Sequence, residues 1–147
     1  MNRHRFGNSR VFRLLVPSVC MLLGGLTAAR ADGLFDGTKP LLCVSSEAFD
    51  CSGGANCVET SPASLNVPDL MQLDLVAKML RALDVAQRGK SSAIDSVHVV
   101  EGRLVVSGKP EDGRAWTLAI QQDTGDSVLS VNDAATGLIV FGECTSL

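Results

Sequence analysis

The carboxyl-terminal half of the chain is built from short apolar runs that are separated by turns containing glycine. In one of these runs Trp116, Leu118 and Ile120 alternate with smaller residues, which is the pattern of a strand with one buried face. The runs recur at the spacing of about 8–12 residues that is typical of antiparallel sheets. They predict an all-β fold, an antiparallel meander of about seven or eight strands that curls into a small barrel or half-barrel.

Residues 70–83 fit two structures. If the segment is helical, Leu73, Leu80 and Leu83 share one face, and its Met, Leu, Ala, Lys and Arg residues have high helix propensity. If it is extended, Met71 and Leu73 alternate with Gln72 and Asp74, as in a strand. The residues alone favour the helix slightly and leave both structures open.

The first 31 residues predict a secretory signal peptide. They contain five arginines and no acidic residue, and the apolar run 14–26 leads to the small-residue motif Ala29-Arg30-Ala31. The run is shorter than the roughly 20 apolar residues that cross a membrane, so cleavage after Ala31 is expected. The mature protein is then periplasmic, exported by the general secretory route, with no stable membrane anchor. Residues 32–40 are predicted as an irregular lead-in and residues 41–147 as a single β domain.

Cleavage makes the protein strongly acidic. It removes five of the 13 basic residues and none of the 16 acidic ones, so the mature chain carries a net charge of −8. A nucleic-acid backbone would be repelled by this charge, and no nucleic-acid partner is expected. The acidic balance suits a soluble domain whose partner is an unknown protein or small ligand.

Four cysteines follow the signal peptide: Cys43, Cys51, Cys57 and Cys144. An even number behind an export signal predicts two disulfides, and the spacings are wider than the close pairs of a zinc site. Cys51 and Cys57 flank a flexible turn that allows them to meet. Cys43 lies in the first strand and Cys144 at the end of the last one, and these strands become neighbours when a meander curls. The predicted pairs are therefore Cys51–Cys57 and Cys43–Cys144.

Several short motifs carry a family resemblance. They are Gly102-Arg103-Leu104-Val105, Gly113-Arg114-Ala115-Trp116, Thr124-Gly125 and Phe141-Gly142-Glu143-Cys144-Thr145. This pattern resembles a loose group of small exported, periplasmic β-meander proteins of Gram-negative bacteria. The resemblance implies a hairpin within residues 70–83, with strands at Leu73-Asp74-Leu75 and Met79-Leu80-Arg81 and a turn at 76–78. It implies no activity.

The mature chain offers few residues for catalysis. His98 is its only histidine, tyrosine is absent, and no G-x-S-x-G nucleophile motif occurs. No catalytic residue, metal ligand or cofactor is predicted, and the acidic segments 50–56 and 123–126 are predicted as turns. Trp116 and Phe141 are expected in the core, whereas Arg114, Trp116 and His98 are the candidate contacts for a ligand or partner.

These observations predict a non-catalytic periplasmic protein that binds an unknown ligand or partner. An accessory factor or inhibitor of an envelope enzyme is the first alternative. An enzyme of unknown class is the second alternative and the less favoured one, because a single histidine leaves few arrangements for general acid–base chemistry.

Overall fold

A computed structural model describes residues 35, 37–52, 56–109, 113–132 and 134–147. The predicted signal peptide, residues 1–31, lies outside the described residues. Nine strands and one short 3₁₀ helix at Pro62–Leu65 are present in the described part. The strands are β1 Leu41–Asp50, β2 Val58–Thr60, β3 Leu70–Asp74, β4 Met79–Ala82, β5 Ser91–Val100, β6 Arg103–Gly108, β7 Ala115–Gln121, β8 Asp126–Asn132 and β9 Gly137–Ser146.

The strands form a closed antiparallel barrel, which confirms the all-β prediction. Eight of them follow one another around the barrel, and β1 closes it by pairing with β9. The short strand β2 lies outside this ring and pairs with the end of β1, from Ala48 to Asp50. Within the described residues, no helix is long and apolar enough to cross a membrane.

The β1–β9 seam runs along the full length of both strands, from the pair Leu41↔Ser146 to the pair Asp50↔Leu138. Cys43 faces Cys144 across this seam, with a Cα–Cα distance of 4.0 Å, and the two form a disulfide. A second disulfide joins Cys51 to Cys57. Both predicted pairs are therefore confirmed, and the longer-range one joins the two strands that close the barrel.

Residues 70–83 form the β3–β4 hairpin, as the family resemblance implied, and not a helix. The turn covers residues 75–78, and Lys78 adopts a positive φ of 52°. Asp74 accepts a hydrogen bond of 2.8 Å from the Ala77 amide and pairs with Arg81 at 3.4 Å. Both contacts hold the pKa of Asp74 below its ordinary value, and the hydrogen bond from the Ala77 backbone amide has the larger effect.

Residues 70–83 form strands despite their helix propensity because the barrel buries one face of this segment. Met71 and Leu73 of β3 are buried, and the other three residues of the strand are half-buried. Across the hairpin, Leu80 lies opposite Leu73 and Ala82 lies opposite Met71, so all four share the inner face. Burial with a period of two residues therefore overrides local preference.

The two ends of the barrel differ. At the end that carries the turns 75–78, 101–102 and 122–125, Phe35 is buried and its carbonyl accepts a 2.7 Å hydrogen bond from Gln122 Nε2. The Phe35 ring also lies only 3.1 Å from where a Cβ on Gly125 would be. The predicted lead-in therefore supplies a plug for this end, which we call the plugged end. The opposite end, which we call the open end, carries the described segments 51–52, 56–57, 61–69, 83–90, 113–114 and 134–136, together with Lys109.

The prediction that Phe141 lies in the core is wrong. Leu138 and Val140 occupy the inner face of β9, so the next residue points outward. The Phe141 ring is 41% exposed and packs edge-on against Phe49, with ring centroids 5.9 Å apart. Trp116, by contrast, is 4% exposed and belongs to the core, as predicted.

Candidate functional site

A cavity of about 620 Å³ lies at the open end of the barrel. This volume falls in the range of about 300–1,000 Å³ that is typical of small-molecule sites. The floor consists of apolar side chains that point inward from the strands. The walls are the segment 65–68, the loop residues Gln87, Gly89 and Lys90, the first residues of β5, and Trp116. The floor residues are Met71, Leu80, Ala82, Leu129, Val131 and Leu138.

Small inward residues create this space. In the middle of the barrel the inner positions hold large residues, such as Leu73, Leu118 and Ile120, each at most 2% exposed. Towards the open end the corresponding positions on three strands hold Ala82, Ser92 and Gly108. These small residues do not fill the interior of the barrel near the open end. A cavity therefore lies there instead of a packed core.

Trp116 is fixed against one wall of the cavity. Its indole Nε1 donates a 2.7 Å hydrogen bond to Ser92 Oγ. The ring lies over Gly108, where a Cβ would be only 2.5 Å from Trp116 Cζ2. Because the polar edge is satisfied and the flat ring rests on a residue without a side chain, the indole presents a preformed apolar surface to the cavity.

A hydrogen-bond network holds the mouth of the cavity in place. Gln87 is buried, and its Nε2 donates to the Val67 carbonyl at 3.0 Å. Lys90 Nζ donates to Gln87 Oε1 at 3.3 Å and also to Asn66 Oδ1. This network links two loops that are about twenty residues apart in sequence, so both walls are held by the same few side chains.

The rim of the cavity is cationic. Lys90, Lys109 and Arg114 line it, and no aspartate or glutamate is found among the described residues that do so. Asp84 lies in the loop beside the mouth but does not line the cavity. Its Oδ1 accepts a 2.7 Å hydrogen bond from the backbone amide of Gln87. The charged side chains among the described lining residues are therefore all basic.

The structure brings together two of the three predicted contact residues. Arg114 and Trp116 both line the cavity. His98 does not; it is exposed on the outer face of β5, opposite Val105. Sequence reasoning missed Asn66, Gln87, Lys90 and Lys109, and the only signal that could have indicated the lysines is that few basic residues follow residue 31.

The two acidic segments contain local hydrogen bonds of the kind found in turns. Asp50 Oδ1 accepts a 2.9 Å bond from the Ser52 amide, and Asp126 Oδ2 accepts one of 2.7 Å from the Thr124 hydroxyl. In the part of the chain that the structure describes, no group of three or more His, Cys, Asp or Glu side chains is arranged to hold a metal ion.

A second concave surface lies on the outside of the barrel. It is a groove of about 530 Å³ around the exposed ring of Phe141, and it is open to solvent. Glu47, Asp126 and Glu143 line it together with Arg103. This groove combines an exposed aromatic ring with an excess of negative charge, the opposite sign to the rim of the cavity.

Comparison of the chain with protein-family models, curated proteins and solved structures finds no match. The resemblance to small exported β-meander proteins therefore stays a prediction.

Proposed function

We propose that this chain is a non-catalytic binding protein that holds a small, largely apolar ligand in the cavity at the open end of the barrel. The observation that carries the proposal is the asymmetry of the barrel interior. One end is plugged by Phe35, and the other opens on a cavity of about 620 Å³ with an apolar floor.

The size of the cavity supports a binding role rather than incomplete packing. Protein interiors are packed as densely as organic crystals, and they contain few voids larger than a water molecule. Larger apolar side chains at Ala82 or Ser92 would fill the space with buried apolar area. The mouth is also held by the buried Gln87 and its hydrogen bond to Val67, so the opening is a structured feature of the fold.

The disulfides support an oxidising, exported environment, since such bonds persist in secreted and periplasmic proteins and are rare in the cytosol. We propose the periplasm as that environment, reached after removal of the signal peptide predicted for residues 1–31.

No catalytic role is proposed for any residue. His98 is exposed on the outer face of β5 and does not line the cavity. Ser92, the serine that Trp116 contacts, uses its hydroxyl as the acceptor of the indole N–H. Neither arrangement places a general base beside a nucleophile, which acyl transfer and related chemistry require.

Replacement of Ala82 by phenylalanine should block the cavity. The new ring would project from the inner face of β4 into the space beside Met71, and we expect affinity for an apolar probe to fall at least about tenfold. The probe is N-phenyl-1-naphthylamine, an uncharged fluorophore. Its binding is measured by energy transfer from Trp116, the only tryptophan in the chain.

The matched control is Ala115→Phe. Ala115 is exposed on β7 and does not line the cavity, so the same change in size should leave probe binding unaltered. Circular dichroism and urea unfolding establish that both variants are folded. Unchanged affinity in a folded Ala82→Phe variant would show that the probe binds elsewhere, and the proposal would fail.

The exposed ring of Phe141 favours a second candidate function, which is an accessory factor or inhibitor that docks on an envelope enzyme through the outer groove. Exposed aromatic rings are enriched at protein interfaces, and the carboxylates around this ring suit a basic partner surface. We expect Phe141→Ser to abolish capture of one defined partner from an envelope extract, with Val58→Ser, also exposed, as the control. If both variants capture the same proteins as the wild type, this second function is excluded.

A further inference from the structure

We infer that the cavity binds a single-chain amphiphile with an anionic head group, with the head group at the cationic rim and the apolar chain on the floor beside Trp116. The inference rests on the proposed function and adds the chemical class of the ligand. It follows from the distribution of charge and apolar surface within one cavity.

The floor of the cavity suits an aliphatic chain rather than a polar ring system. Its side chains are almost all aliphatic or aromatic, and the polar groups at this depth, Ser92 Oγ and Trp116 Nε1, are bonded to each other. A sugar or nucleoside placed here would lose hydrogen bonds to water without replacing them. An alkyl chain has no such loss, and each buried methylene should raise affinity about fourfold.

The rim suits a negative charge. Lys90 Nζ is held by two neutral amide oxygens, those of Asn66 and Gln87, which orient the ammonium group without neutralising its charge. Lys109 is exposed at the end of β6. Among the described residues, the ion pair found is Asp74–Arg81 in the β3–β4 hairpin. Neither Lys90 nor Lys109 is therefore paired with a described carboxylate.

The same arrangement disfavours other head groups. A cationic head group would meet two lysines and find no carboxylate among the described lining residues. A neutral head group would bind through the floor alone. An ion pair at a partly exposed site is much weaker than a buried one. The two lysines together should therefore raise the affinity for an anionic head group about five- to tenfold over that for a neutral one.

The test uses four ligands that share one dodecyl chain: tridecanoate, dodecyl phosphate, dodecanol and dodecylammonium. Affinities of the folded mature protein are measured below the critical micelle concentrations by Trp116 emission and by isothermal titration calorimetry. We expect both anions to bind about five- to tenfold more tightly than dodecanol, and dodecylammonium to bind most weakly. The preference for the anions should decrease as salt is added, because exposed charges are screened.

Lysine variants test whether the preference for anionic head groups comes from the rim. In Lys90→Gln/Lys109→Gln the anions should bind no better than dodecanol. Because Lys90 also helps to hold the mouth, the single variant Lys109→Gln provides a second measurement, with about half of the effect. Lys39→Gln, an exposed lysine next to the plugged end, is the control and should retain the full preference.

The outcomes separate the inference from the proposed function. If all four ligands bind with equal affinity, the inference about the head group is overturned and the apolar binding site stands. If none of them binds, both are overturned. An anion preference that persists in the double lysine variant would also overturn the inference, since the rim would not be its origin.

Discussion

Replacement of both Cys43 and Cys144 by alanine is expected to lower the free energy of unfolding by about 4–5 kcal/mol. The bond joins residues 101 positions apart, and its loss releases nearly the whole strand region in the unfolded state. Both cysteines are buried on the inner face of the seam, so alanine avoids placing a hydroxyl in the core. Urea unfolding of the oxidised wild type and of the double variant measures the difference.

The second disulfide is the control for this prediction. Cys51 and Cys57 are 6 positions apart, and the same double replacement by alanine should cost only about 2 kcal/mol on the loop-entropy argument. Peptide mapping without reduction checks that each variant retains the other bond. If loss of Cys51–Cys57 destabilises the protein as much as loss of Cys43–Cys144, loop closure is not what stabilises the barrel.

The closure of the barrel could be predicted from sequence because it depends on few choices. Runs with a period of two, each followed by a turn, leave an antiparallel meander as the simplest arrangement. The positions of Cys43 and Cys144 in the first and last strands then indicate which edges meet. The β3–β4 hairpin was harder to predict, because residues 70–83 favour a helix by composition and become strands only when Met71 and Leu73 are buried in the barrel.

The error at Phe141 has a different origin. Alternation shows that neighbouring residues face opposite sides of a sheet, but it does not say which side is inside. In β9 both faces are apolar: residues 138 and 140 lie on one face, and residues 139 and 141 lie on the other. The pairing of Leu129 with Val140 decides between them, and that pairing depends on the register between β8 and β9.

The cavity could be predicted only in part. Arg114 and Trp116 are two positions apart in sequence and were recognised together. The space itself arises where Ala82 and Ser92, small inner residues on two different strands, come to the same end of the barrel, and where Trp116 lies over Gly108. The network of Asn66, Gln87 and Lys90 depends on two loops with irregular backbone, and no periodic pattern indicates which loops meet.

Replacement of Gly108 by alanine is expected to destabilise the protein by about 3 kcal/mol, the upper end of the range for overpacked cores. A Cβ at this position would be 2.1 Å from the Ala93 carbonyl oxygen and 2.5 Å from the Trp116 ring. The carbonyl belongs to the paired strand β5, so this contact can be relieved only by a local shift of β5 against β6. The contact with the ring must be relieved as well, so the ring should move off the wall of the cavity and its hydrogen bond to Ser92 should break.

Gly137→Ala is the matched control for this last prediction. Gly137 also lies in a strand at the open end, but its nearest neighbour to an added Cβ would be at 3.7 Å, an ordinary contact. We expect a change within about 0.5 kcal/mol in urea unfolding and no change in Trp116 emission. In Gly108→Ala the emission should shift to longer wavelength as the indole becomes more exposed, and affinity for an apolar probe should fall with it. Equal stability and equal emission in the two variants would show that Gly108 does not position Trp116, and the preformed cavity wall would lose its structural basis.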